Sequence, residues 1–114
     1  MTARGTQVVD AAEFSGKMGD LQKLRVTVVI LLSQENSKLL SRRQRVAGKE
    51  IEVMTAERDL DRGDDPPATE KLLAALCLEE DVLRQALADS EQEIERLDGL
   101  MDKIDRDIAA LCQS

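Results

Sequence analysis

The chain has no histidine, no tryptophan and no tyrosine, and its single aromatic residue is Phe14. Without histidine, the Ser/His and Cys/His pairs that activate a nucleophile are excluded. A metal site would lack imidazole, and Cys77 and Cys112 alone do not make a zinc site. No glycine-rich phosphate loop is present, and the acidic run "DRGDD" (residues 61–65) lacks the ligand spacing of a calcium loop. The expectation is therefore a protein that is not an enzyme and holds no metal and no cofactor. The net charge of −7, with no aromatics for base stacking, argues against nucleic acid as a partner.

Long hydrophobic runs are also missing. The longest, "VTVVILL" at residues 26–32, is far short of the ~20 residues that span a bilayer, so no membrane partner is expected. The first 15 residues hold no apolar stretch of signal-peptide length, which makes a cytosolic protein with reduced thiols the default expectation. Two cysteines on one helix would lie about 52 Å apart at ~1.5 Å per residue, well beyond disulfide reach. Flank packing at the edge of a helical seam is their expected role.

What remains is 42% apolar and 34% charged, with two prolines and six glycines, a composition of long helices and coiled coils. The clearest punctuation is "DRGDDPPATE" at residues 61–70. Gly63 suits the left-handed position after a helix, and Pro66 pre-sets the first turn of the next one. Asp64 and Asp65 are suited to cap that next helix. After the linker, Leu73, Glu80, Leu87, Ile94, Met101 and Ile108 recur every seven residues, interleaved with Leu76, Leu83, Ser90, Leu97, Ile104 and Leu111. Ten of these twelve are apolar, which is a sustained heptad seam. Glu80 and Ser90 break it and read as register-setting polar positions.

Before the linker, the seam runs through Leu21, Leu24, Val28, Leu32, Leu39, Val46, Val53 and Leu60. Leu40, Ala47, Ile51 and Met54 are expected to widen the same face. The spacing predicts a helix over 20–61, a linker at 62–66 and a helix over 67–112, with a possible break near Gly99. Residues 1–19 are an N-terminal segment, partly flexible or a short helix, ahead of a bundle at 20–114. With the turn near residue 65, an antiparallel hairpin sets Val53 against Leu76 and Cys77, Val46 against Leu83, and residues 26–32 against about 98–105.

The stretch "RVTVVILL" (residues 25–32) has strand propensity but lies in helical phase with its surroundings. As a helix it is apolar nearly all round, more than one hairpin stripe can bury. A third element is expected over it: the N-terminal "TQVVDAAEF" (residues 6–14), a separate helix after Gly99, or a second copy as a homodimer. The fold class is all-α, a long antiparallel helical hairpin completed to a rod-like three-helix bundle.

Charge is unevenly spread. Residues 1–62 carry eleven basic and nine acidic side chains, whereas residues 63–114 carry five and fourteen. The run "SRRQR" (residues 41–45) is a solvated face, or is cross-paired with Asp89, Glu91 and Glu93 on the opposing helix, or is a basic patch for an acidic partner.

Several stretches resemble the tubulin-binding cofactor A family of tubulin-specific chaperones. These are "LQKLRVTVVILLSQE" (residues 21–35), "KEIEVM" (49–54), the acidic turn at 61–65 and "LEEDVLRQAL" (78–87). The resemblance covers about residues 21–97. It implies a rod-like three-helix bundle and a non-enzymatic, cytoplasmic, cytoskeleton-associated chaperone that binds β-tubulin without nucleotide. The basic side of the first helix, Lys38, Arg42, Arg43, Arg45 and Lys49, is then the candidate contact surface for acidic tubulin. The competing class is a structural coiled-coil subunit of a secretion stalk, kinetochore or tethering complex.

Overall fold

A computed structural model describes the backbone of residues 2–113 and the side chains of residues 16–113. It contains two helices, α1 (Thr2–Asp61) and α2 (Pro66–Gln113), and no strand among the described residues. The fold is the expected all-α antiparallel hairpin.

The turn between the helices follows from its residues. Gly63 has φ +76, and the Gly63 N–H donates to the Leu60 carbonyl while the Asp64 N–H donates to the Asp59 carbonyl. This is a Schellman ending, which requires the left-handed residue that glycine provides at little cost. Asp65 also has positive φ (39) and its carbonyl accepts the first bond of α2, from the Thr69 N–H at 3.0 Å. Pro66 then occupies the first helical position, where its missing N–H costs nothing. The Thr69 hydroxyl donates to the Asp64 carbonyl and closes the turn.

The helices divide into two compact units. Unit 1 comprises residues 1–34 and 94–114. Its core is Val28, Leu97 and Ile104, with Leu21, Leu32, Leu100, Met101 and Ile108 packed against it. Val28 therefore meets the partner turn expected of it. The Arg25 guanidinium caps this layer, donating to the Asp105 carboxylate at 2.8 Å. Unit 2 comprises residues 35–93, and its core joins Val53 and Ala56 to Leu76 and Leu73.

Every position of the α2 seam is buried or half-buried, Glu80 and Ser90 included. The α1 seam needs correction. Leu24 is exposed, and Arg25 stands at the contact with Asp105 instead. Leu40, Ala47, Ile51 and Met54 do not widen the buried face but are exposed. The reason is angular: at about 100° per residue, Ile51 lies some 160° around the helix from Val53. A second inward line of α1 runs from Val28 through Glu35, Arg42, Lys49 and Ala56; the last four lie three residues beyond Leu32, Leu39, Val46 and Val53, and the three charged ones are half-buried.

The third element takes none of the within-chain forms proposed from the sequence. α2 runs unbroken through Gly99, so among the described residues there is no separate C-terminal helix. α1 begins at Thr2, not near Asp20, and carries residues 6–14 onward in the same helix. The side chains of residues 6–14 lie outside those described. Among the described side chains of unit 1, Val26, Val29 and Ile30 remain exposed, as do Leu24 and Leu31.

Candidate functional site

Unit 2 is built around charge where a coiled coil ordinarily has aliphatics. Three successive positions of the second inward line, all half-buried, are Glu35, Arg42 and Lys49. Opposite them on α2 are Ser90, Ala86 and the Glu79–Glu80 turn. Ser90 is fully buried, at 0% exposure. The Arg42 guanidinium donates through Nη1 to the Ser90 hydroxyl and, at 3.0 Å, to the Ala86 carbonyl. The Ser90 hydroxyl donates in turn to Glu35 Oε1 at 3.3 Å. A buried hydroxyl with both a donor and an acceptor satisfied carries no desolvation deficit. No described buried side-chain polar atom lacks a partner.

Nearer the turn, the Lys49 amine bridges both helices, donating to Glu52 at 2.8 Å and Glu79 at 2.7 Å. These bonds, Glu52 first and Glu79 second, hold its pKa above the ordinary lysine value. Arg84 donates to Glu80, one turn back on α2, at 2.8 Å and reaches across the hairpin to Glu50 at 2.6 Å. Its hydrogen bond to Glu80 is the largest influence raising its pKa. Ion pairs this exposed contribute little stability but discriminate between registers.

The five basic residues expected to form one contact surface are thereby separated. Arg42 and Lys49 turn toward α2. Lys38 is exposed and lies 3.5 Å from Glu35. Arg43 and Arg45 are exposed and make no ion pair among the described residues. Of the acids expected opposite "SRRQR", Asp89 instead accepts from Gln85 at 3.0 Å. Arg42 finds a hydroxyl and a carbonyl, a choice that charge counting does not anticipate.

Cys77 and Cys112 are free and exposed, not packed on the seam flanks. Among the described residues no helix is long and apolar enough to cross a membrane. No group of three or more acidic or cysteine side chains there is placed to hold a metal ion.

Among the described side chains, two groups of large aliphatics stay exposed. In unit 1, Leu24, Val26, Val29, Ile30 and Leu31 form a belt around α1. In unit 2, Leu40, Ile51 and Met54 lie on the side of α1 turned away from α2, and Leu78 and Val82 are exposed on α2. Comparison with protein-family models, with curated proteins and with solved structures finds no match for this chain.

Proposed function

We propose that the protein is a helical-hairpin subunit of a larger assembly, a structural component that works by offering helix faces to other helices. The observation that carries this reading is the unit 1 belt: five large aliphatic side chains, each more than two-fifths exposed, on a helix already buried along one stripe. Contiguous exposed apolar surface of this kind marks an interaction site. Burying it gains roughly 25 cal/mol per Å². A second helix with an apolar stripe is the partner that fits, because a helix packs against a helix through just such ridges. A tethering complex, a secretion stalk or a kinetochore would supply it.

The test is affinity purification of the native chain and of Val26→Glu/Ile30→Glu from the same extract, compared by quantitative mass spectrometry. A stoichiometric partner with heptad helices, lost from the variant while its circular dichroism is unchanged, supports the reading. An identical set of partners for both proteins contradicts it.

A second reading is the tubulin-folding chaperone of the cytoplasm, with β-tubulin as partner. Exposed Arg43 and Arg45, beside Lys38, favour it, because these cations suit an acidic surface. Arg43→Glu/Arg45→Glu is then expected to lose β-tubulin in a cytosolic pull-down with helicity intact. Equal recovery of β-tubulin, or none by the native chain, sinks this reading.

A further inference from the structure

The outward side of α1 in unit 2 has its own register. Ser37, Leu40, Gln44, Ala47, Ile51 and Met54 follow one another at alternating spacings of three and four, the signature of a seam. All six are exposed, with Leu40 at 59%, Ile51 at 65% and Met54 at 59%. One flank of this line is Ser41, Gly48 and Thr55, without a charge in a chain that is 34% charged. The other flank is Asn36, Arg43, Glu50 and Glu57.

Gly48 adds an independent observation. A glycine inside a helix is less favourable than alanine. A Cβ at Gly48 would meet nothing within 4 Å, so the hairpin itself has no need of the missing side chain. A glycine on the flank of an uncovered seam is what a close-approaching second backbone requires.

We propose that this face pairs with the same face of a second copy, antiparallel, about a twofold axis passing between residues 45 and 46. That register sets Leu40 against the second copy's Ile51, Gln44 against its Ala47, and Met54 against its Ser37, each layer occurring twice, as an isologous interface demands. On the charged flank, Arg43 falls opposite the second copy's Glu50, and Asn36 opposite its Glu57. On the uncharged flank, Ser41 meets Gly48.

The charges decide for a second copy in this orientation. Arg43 meets an opposite charge that Arg84 already holds in place through Glu50, so two mixed ion networks close the contact. A parallel, in-register pair would forgo this complementarity and stack Gln44 on Gln44. Lys38, Arg45 and Glu52 lie outside the contact, beyond the flanks. The paired stretch, residues 37–54, is only about 26 Å long at 1.5 Å per residue. With three large apolar side chains per copy, it falls short of what a permanent dimer buries. The dimer is therefore an exchanging one whose population follows concentration.

Sedimentation equilibrium of the full chain across a dilution series tests this. A monomer–dimer equilibrium is expected for the native protein. Leu40→Glu raises the dissociation constant at least about tenfold, which corresponds to 1.4 kcal/mol. Arg43→Glu and Glu50→Arg each weaken the dimer, and the double exchange recovers it. Gly48→Ala raises the melting temperature of the dilute monomer while weakening the dimer, two opposite effects that loss of folding cannot imitate. Circular dichroism confirms that each variant is helical. A native chain that stays monomeric throughout overturns the proposal and leaves the face to a helix of another protein. A dimer indifferent to Leu40→Glu and Gly48→Ala overturns it in favour of another surface. Either failure leaves the unit 1 belt, and the assembly reading built on it, standing.

Discussion

At the residue scale, Ser90 and Arg42 form one unit. A serine in a leucine seam looks like a defect until Arg42 and Glu35 are placed around it. Removing one member strands the others, so Arg42→Met is expected to destabilise the hairpin by about 1–3 kcal/mol in urea unfolding. Replacing all three, Glu35→Leu, Arg42→Met and Ser90→Leu, is expected to restore or exceed native stability, since apolar residues can replace a buried polar cluster without loss. If Arg42→Met alone were neutral, the network would have no structural weight. Lys49 gives a pH dependence. Because Glu52 and Glu79 raise its pKa, its contribution is complete below the ordinary lysine value near 10.5 and is lost as pH rises through the raised value. Lys49→Met should therefore lower the melting temperature slightly at neutral pH and leave it unchanged at strongly alkaline pH.

At the scale of elements, α2 was legible in the sequence and α1 only in part. The α2 seam alternates strictly, so twelve positions read from spacing alone are all at least half-buried. α1 carries Glu35, Arg42 and Lys49 at half-buried positions facing α2, and a reading that counts aliphatics passes over them. It then assigns Leu40, Ile51 and Met54 to the hairpin, although they face the other way. The apolar excess of residues 26–32 was readable. What covers it was not, because the cover need not belong to the chain that carries the excess. The turn was legible because proline and glycine restrict backbone angles directly. Gly63→Ala is expected to cost about 1–2 kcal/mol, the penalty of a left-handed residue with a side chain. In unit 1, Ile104→Ala should cost about 2–5 kcal/mol, as for any large-to-small change in a packed core. Ile30→Ala, at an exposed position, should change stability by less than about 0.5 kcal/mol.

At the scale of the whole molecule, the chain builds apolar faces that its described side chains do not cover. Unit 1 offers an aliphatic belt to a foreign helix, and unit 2 offers a seam that matches its own image. The basic excess of residues 17–49 is partly spent inside the hairpin, on Asp105, Ser90 and Glu79, and Arg43 and Arg45 are its exposed remainder. The most direct measurement is thiol labelling of single-cysteine variants with Cys77 and Cys112 changed to serine. In dilute protein, cysteines placed at Val26, Ile30 and Ile51 are expected to react nearly as fast as an unstructured thiol, and those at Val28 and Val53 to be protected. At high concentration only the one at Ile51 should become protected. Protection at positions 26 and 30 in the dilute chain would contradict the account, because it would mean that the chain covers its own belt.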